Sequence, residues 1–387
     1  MASADEQKVW EEKSIPLGRA GFEVPGKPVI VPLESELEGL VVELQVNGEP
    51  IKLVVDTGAS WTTISREHAD RLGLEVEGED ALVRSASGKL VAMKRVPVDR
   101  LTINGAWREG SMVMLTEFPD GMEIDGVLVN STLAAWDVRI DPGKLRLTLF
   151  PRNESDVLEG ETRLKLERHQ NLMVRVPLGV GEHRIQVVPD TGYGGTVQLS
   201  LAQAKAIVPN ALANSDQLRR TSVSIAGEGE SRDGKIPQVT FGPDTLVDLP
   251  VSFVETEANA KGMKIDLIGL NFLQHYVMTF RFGRGELGLL PIGTVQELVE
   301  SSTAGISIGV DPKGAMIAQS LAPDGPGEKA GLRAGDHLVE IGGIKTSEIT
   351  NEDFRAFRRQ PPGTKVEVVY RRGDQEPAKV VVVLEKE

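Results

Sequence analysis

Leu40-Val-Val-Glu-Leu-Gln-Val-Asn-Gly-Glu-Pro-Ile-Lys-Leu-Val-Val-Asp-Thr-Gly58 decides the fold. β-Branched residues fill both arms, and Asn47-Gly48 supplies the pair that tight hairpin turns favour. The second arm ends on a carboxylate at a sharp turn. The pattern predicts strand, hairpin, strand and an aspartate-bearing loop. It recurs as Leu172-Met-Val-Arg-Val-Pro-Leu-Gly-Val-Gly-Glu-His-Arg-Ile-Gln-Val-Val-Pro-Asp-Thr-Gly192, so that Asp190 stands 134 positions after Asp56. The second stretch is two residues longer, which reads as an insertion in its hairpin.

The likeness continues downstream. Asp125-Gly-Val-Leu-Val129, Leu133 and Val138-Arg-Ile-Asp141 parallel Asp266-Leu-Ile-Gly269, Phe272-Leu273 and Val277-Met-Thr-Phe280. Each half closes with an extended run after a Gly turn, Pro142–Phe150 and Gly283–Leu290. Short helices with serine caps are expected at Ser65–Leu72 and at Ser200–Ile207, the latter ended by Pro209. The chain is a duplicated β-unit.

Composition narrows the chemistry. With 57 Asp+Glu against 43 Lys+Arg, the net charge is −14, which argues against nucleic acid and anionic membrane surfaces as partners. No apolar run is long enough to span a bilayer. Cysteine is absent from the 387 residues, which removes thiol nucleophiles, disulfides and Cys-ligated zinc. His68, His169, His183, His275 and His337 form no HExxH pattern, so no metal or other cofactor is expected. A cysteine-free chain fits a bacterial periplasmic or otherwise exported protein, with a cytoplasmic one as the alternative.

Asp56-Thr-Gly-Ala-Ser60 and Asp190-Thr-Gly-Tyr-Gly194 carry the chemistry. Carboxylates at turns after buried strands are costly unless hydrogen-bonded or functional. Two equivalent ones can meet across a pseudo-two-fold axis, where they cannot both ionise cheaply and so share a proton. One then serves as general base on a water, while the other polarises a carbonyl. Gly58 and Gly192 let the backbone turn tightly and aim amides at the carboxylates.

These motifs resemble the pepsin and retropepsin superfamily of aspartic peptidases, over roughly residues 28–297. The resemblance implies a mainly β, bilobal acid-protease fold with a substrate cleft between lobes and a hairpin flap over it. It also implies that Thr57 and Thr191 interlock beneath the catalytic pair, Asp56 and Asp190. By position, the flap falls at Ser85-Ala-Ser-Gly88 in the first lobe, with Ser222–Glu230 its acidic counterpart. Tyr193 reads as cleft wall, or else as a hydrogen-bond donor to substrate. Val129 stands where the family has Gly, whereas Gly269 keeps it. Ser60 is expected to donate to Asp56 where the second motif has Gly194, so that Asp56 ionises first and Asp190 holds the proton. Two motifs on one chain remove the retropepsin's need to dimerise, so a monomer suffices.

Residues 303–387 resemble a bacterial-type PDZ domain, a small α+β unit. Pro326-Gly-Glu-Lys-Ala-Gly-Leu-Arg-Ala-Gly-Asp336-His-Leu-Val-Glu-Ile-Gly-Gly343 carries the likeness. The resemblance implies that Gly305 and Ile306, Ser307 and Ile308 form a carboxylate-binding loop and strand. A partner peptide's C-terminus would add there as an extra strand. Phe354 and Phe357 either line that groove or belong to the core. Gly305-x-Ser307-x-Gly309 matches the serine-hydrolase elbow only in letters, because it opens a strand.

The domains expected are therefore 1–27, a lead-in or prosegment; 28–155 and 156–298, the two lobes; and 299–387, the PDZ unit. The function expected is aspartic endopeptidase on protein substrates, with the PDZ unit recruiting or regulating. A peptide-binding adaptor whose lobes no longer cut is the alternative.

Overall fold

The computed structural model describes residues 19–36, 39–84, 90–118, 125–168, 173–215, 219–224, 227–255, 265–293, 302–311, 314–358 and 360–386. It is mainly strand. The two diagnostic hairpins form as the alternation requires: Gly39–Val46 pairs with Glu49–Asp56, and Val174–Val180 with His183–Asp190. Val46 faces Glu49 and Val180 faces His183, so both turns hold two residues. The expected insertion is therefore absent. Leu40 corresponds to Val174 rather than to Leu172, at the same offset of 134 that separates the two motif threonines. Asn47 and Gly48 both have positive φ, at 51° and 93°, which is why Asn-Gly occupies this turn.

Each lobe then repeats one further device. Gly126–Val129 runs parallel to Glu49–Asp56, with Val129 beside Asp56. Leu267–Gly269 runs parallel to His183–Asp190, with Gly269 beside Asp190. The aspartates thus leave the ends of central strands, walled by a second buried strand. Ser65 caps the helix Arg66–Arg71 and Ser200 caps Leu201–Ile207, as their spacing predicts. Pro209 does more than end the second helix. It opens another, Pro209–Asn214, where a residue with no N–H is tolerated in the first turn. Long hairpins project from both lobes, Glu77–Arg84 with Leu90–Ile103 and Arg219–Ser224 with Gly227–Phe241. The flap residues Ser85, Ala86, Ser87 and Gly88 lie outside the described residues.

A six-stranded sheet joins the lobes, in the order Thr162–Lys165, Glu286–Pro291, Tyr276–Arg281, Asp137–Asp141, Arg146–Phe150, Val29–Pro32. Its central pairing sets Arg139 opposite Thr279. These are equivalent positions at the offset of 140 that also separates Val129 from Gly269, which moves the expected match of Val138 with Val277 by one residue, and Arg139 Nε donates to Thr279 Oγ1 at 3.1 Å. The pseudo-two-fold axis passes through this pair. One continuous apolar core runs through both lobes.

The segment between lobes is pinned by buried charge. Arg281 and Glu161 are fully buried and bidentate, at 2.6 and 3.0 Å. Arg281 also donates to Ser155 Oγ and the Asp156 carbonyl. Gly288 makes room, since a Cβ there would stand 2.1 Å from Glu161 Oε1.

The C-terminal unit has its own core and a sheet ordered Ile306–Val310, Met316–Leu321, His337–Ile341, Lys365–Arg371, Ala378–Val383. The helix Asn351–Arg358 is capped reciprocally, Asp353 N donating to Thr350 Oγ1 and Thr350 N to Asp353 Oδ2. Among the described residues no helix is long and apolar enough to cross a membrane.

Removing one partner of a buried, bidentate pair strands the other charge. Glu161→Gln is therefore expected to cost about 3–5 kcal/mol of unfolding free energy, measured by urea titration.

Candidate active site

The two Asp-Thr-Gly loops meet. Thr57 N donates to Thr191 Oγ1 and Thr191 N to Thr57 Oγ1, each at 3.1 Å. Each hydroxyl then spends its own proton on the opposite strand: Thr57 Oγ1 donates to the Pro189 carbonyl at 2.7 Å, and Thr191 Oγ1 to that of Val55 at 2.5 Å. A hydroxyl has one proton and two lone pairs, so it can accept from one loop while donating past it. Both threonines are fully buried, and every polar atom in the crossing is paired.

This crossing presents the carboxyls to each other. Asp56 Oδ1 accepts from the amides of Gly58 and Ala59 at 2.8 Å. Asp190 Oδ1 accepts from those of Gly192 and Tyr193 at 2.9 and 3.1 Å. Glycine is obligatory between them for a reason beyond the turn. A Cβ on Gly58 would stand 2.1 Å from Asp190 Cγ, and one on Gly192 2.6 Å from Asp56 Cγ. Each lobe's glycine is the floor under the other lobe's carboxyl.

The pair is not symmetric. Asp190 is 8 % exposed, whereas Asp56 is only partly buried. Burial pushes the Asp190 carboxyl well above the usual carboxylate range, with the charge of Asp56 and the hydrogen bond between the carboxyls adding to the rise. Burial raises Asp56 too, but the amides of Ala59 and Gly58 and the bond to Asp190 oppose it. The sequence points to a different cause of asymmetry, a donor at Ser60. Asp56 takes its bonds from backbone amides, and Ser60 makes no hydrogen bond to it among the described residues.

Further residues brace the loops without any signal in the motif. Asn130 Nδ2 donates to the Thr57 carbonyl at 2.6 Å, and Thr62 Oγ1 sits 2.7 Å from Thr132 Oγ1. In the second lobe backbone replaces these side chains. Gly269 N donates to the Thr196 carbonyl and Leu270 N to that of Tyr193, both at 2.7 Å. A Cβ on Gly269 would meet the Gly195 carbonyl at 2.3 Å and Tyr193 Cδ1 at 2.6 Å. The first lobe's loop stands off far enough to bury Val129 completely. The Tyr193 ring packs close against Gly195 and Gly269.

In the C-terminal unit Ile306–Val310 is an edge strand, paired only with Met316–Leu321 among the described residues. Gly305 enters it at φ +64°, and a Cβ there would press on Pro326. Between this strand and the helix Asn351–Arg358 lies a cavity of about 200 Å³. Ile306, Ile308, Phe354 and Phe357 all line it, and both phenylalanines also pack against the unit's core. Gly305-x-Ser307-x-Gly309 lies along this strand, with no helix following to make a nucleophile elbow.

Residues 42–132 match the aspartyl protease family and residues 318–372 the PDZ domain family. A probable periplasmic serine endoprotease, DegP-like, of Halomonas elongata is 38 % identical over 101 residues, covering 26 % of this chain and 20 % of its own. A protein of the same description from Bartonella henselae is 25 % identical over 210 residues, covering 52 % and 38 %. Protein DNA-DAMAGE INDUCIBLE 1 of Arabidopsis thaliana is 25 % identical over 229 residues, covering 58 % and 50 %. The chain thus spans 20 to 50 % of the length of these relatives. It carries a retropepsin-like aspartyl protease domain followed by a PDZ domain.

Thr191→Val removes a donor and an acceptor at the buried crossing, leaving the Thr57 amide and the Val55 carbonyl unpaired. About 1–3 kcal/mol is expected per stranded group, read as a lowered urea midpoint.

Proposed function

We propose that the chain is an aspartic endopeptidase whose single polypeptide supplies both halves of the active site. The observation that carries this reading is the Asp56–Asp190 pair, one carboxyl from each repeat, brought together over the crossed threonines with each lobe's glycine against the other's carboxyl. Asp56, the less buried, is ionised and takes a proton from a water held between the carboxyls. The hydroxide equivalent adds to the scissile carbonyl carbon while Asp190 gives its proton to the carbonyl oxygen. The tetrahedral intermediate collapses with protonation of the amide nitrogen, the C–N bond breaks, and the carboxyls return to one shared proton. No covalent intermediate forms. Asp56 and Asp190 are the catalytic residues. Thr57, Gly58, Thr191 and Gly192 position them, with Tyr193 at the cleft wall and Ser85–Gly88 assigned to the flap.

Lobes at 28–155 and 156–298 and a PDZ unit at 299–387 follow from this division. The PDZ unit recruits protein substrates by their C-termini, through the edge strand Ile306–Val310 and the turn at Gly305. Recruitment raises the local concentration of a bound chain at the cleft. The periplasmic designation of the DegP-like relatives favours an exported setting.

Asp56→Asn and Asp190→Asn are each expected to lower casein cleavage at least about a hundredfold. Parental rates in both variants would end the aspartic mechanism.

The pH dependence has a definite sign. Cleavage falls in acid as Asp56 takes up a proton, and falls as pH rises through the raised Asp190 value, giving a bell-shaped profile. Both carboxyls bind protons more tightly folded than unfolded. Their stabilising contribution is therefore complete in acid and is lost as pH rises through the folded values. Asp190→Asn removes a buried carboxyl that is costly to ionise, so at neutral pH the inactive variant is expected to denature at a higher urea concentration than the parent.

A further inference from the structure

We propose that Asn130 is a positioning residue for this reaction, acting on Asp56 through the peptide between Thr57 and Gly58. Its amide strengthens the Gly58 donor and so keeps the Asp56 carboxyl ionised further into acid. The inference rests on the reading of Asp56 and Asp190 as the catalytic pair, and names what sets one limb of their pH profile.

A single peptide group carries the effect. The carbonyl of Thr57 and the N–H of Gly58 are two ends of one amide plane. Asn130 Nδ2 donates to the first at 2.6 Å, and the second donates to Asp56 Oδ1 at 2.8 Å. The carbonyl can only accept, which fixes the nitrogen of Asn130 toward it. A peptide polarised at its oxygen is a better donor at its nitrogen, because bonds in a chain strengthen one another. A stronger donor on a carboxylate favours its charged form.

Packing does not account for this residue. Asn130 is 1 % exposed, and its Oδ1 is buried with no hydrogen-bond partner among the described residues. Half of a buried amide is thus left unsatisfied, which is unfavourable. The second lobe has Leu270 at this position, by the offset of 140 that relates Val129 to Gly269. Leucine has a similar shape and no donor, so the Gly192 amide on Asp190 receives no such help. Asn130 is also held firmly. It opens the short helix Asn130–Leu133, whose Ser131 and Thr132 carbonyls accept from the buried Arg108 guanidinium.

The neighbouring titratable groups are otherwise engaged. Asp190 faces Asp56 across the threonine crossing, and Arg108 is taken up by the helix carbonyls. Asp125, at the far end of the strand Gly126–Val129, lies 2.9 Å from His68 Nε2. The Tyr193 phenol lies over Gly195 in the second lobe. Depth of burial already ranks the two carboxyls, and Asn130 widens their separation.

The test follows the pH dependence of cleavage by the full chain, with a fluorogenic peptide built on a casein site that the parent cuts. In Asn130→Leu the acid limb is expected to move up by about 0.2–0.7 pH unit, and the alkaline limb by less. A role confined to stability would lower the rate without displacing one limb alone. An acid limb that stays in place, or two limbs that move equally, overturns the inference. A second measurement needs neither that variant nor cleavage. Thr-Gly occurs in the sequence only at 57–58 and 191–192. Isotope labels on threonine carbonyl carbon and glycine nitrogen therefore give two peptide correlations by NMR, and Thr191→Ser removes the second lobe's. The Thr57 carbonyl carbon is expected downfield of the Thr191 carbon. Equal positions or the reverse order overturn the inference, even where Asn130→Leu misfolds. Parental cleavage in Asp56→Asn overturns the catalytic reading itself, and this inference with it.

Discussion

Two hydroxyls crossing between loops determine almost everything else about the site. Thr57 and Thr191 each accept the other's amide and donate beyond it, so neither loop can be placed without its counterpart. The demand propagates outward. Hairpins of equal length, matched parallel strands and a sheet shared between lobes are what bring two short loops into hydrogen-bonding register. It also propagates inward, since loops this close leave no space for any side chain at Gly58 or Gly192. The motif Asp-Thr-Gly is thus three consequences of one approach: the charge to be presented, the hydroxyl that spans, and the absence that permits it.

Much of this was legible from residue order, for physical reasons. Alternation and Asn47-Gly48 specify a hairpin locally, and serine before a helical run specifies a cap locally. The paired motifs with their flanks carried the fold because both copies must satisfy the same constraint. What stayed hidden depends on approach between distant backbone segments. Ser60 lies four residues from Asp56, yet the loop satisfies that carboxyl with its own amides. Asn130 and Thr62 bracing the first loop, and Gly269 crowded by Tyr193 and Gly195 in the second, leave no mark in a single sequence. Pro209 shows a related ambiguity, because the residue that stops one helix is equally suited to start another. Leucine at both 40 and 172 suggests a longer second hairpin, whereas the equal two-residue turns set Leu40 in the place of Val174.

The duplication is also where symmetry is broken to effect. Equal amide donors on both carboxyls leave depth of burial as the difference between them, and Asp190 is the deeper. Unequal proton affinities for chemically identical groups then need no special hydrogen bond. The cost is borne at neutral pH by the pair and is offset elsewhere, in a core continuous through both lobes and in the buried Arg281–Glu161 clamp on the segment between them.

The shared sheet also makes the two halves unlike partners. Arg139 faces Thr279 where equivalent residues of the two copies meet in the shared sheet. If the first half assembled with a second copy of itself, Arg139 would confront Arg139 at a position now only 9 % exposed, setting like charges together with little water between them. Two copies of the second half would confront Thr279 with Thr279, losing the guanidinium that reaches Asp156. The two positions at the sheet centre thus complement each other rather than themselves, which only two unlike halves can do.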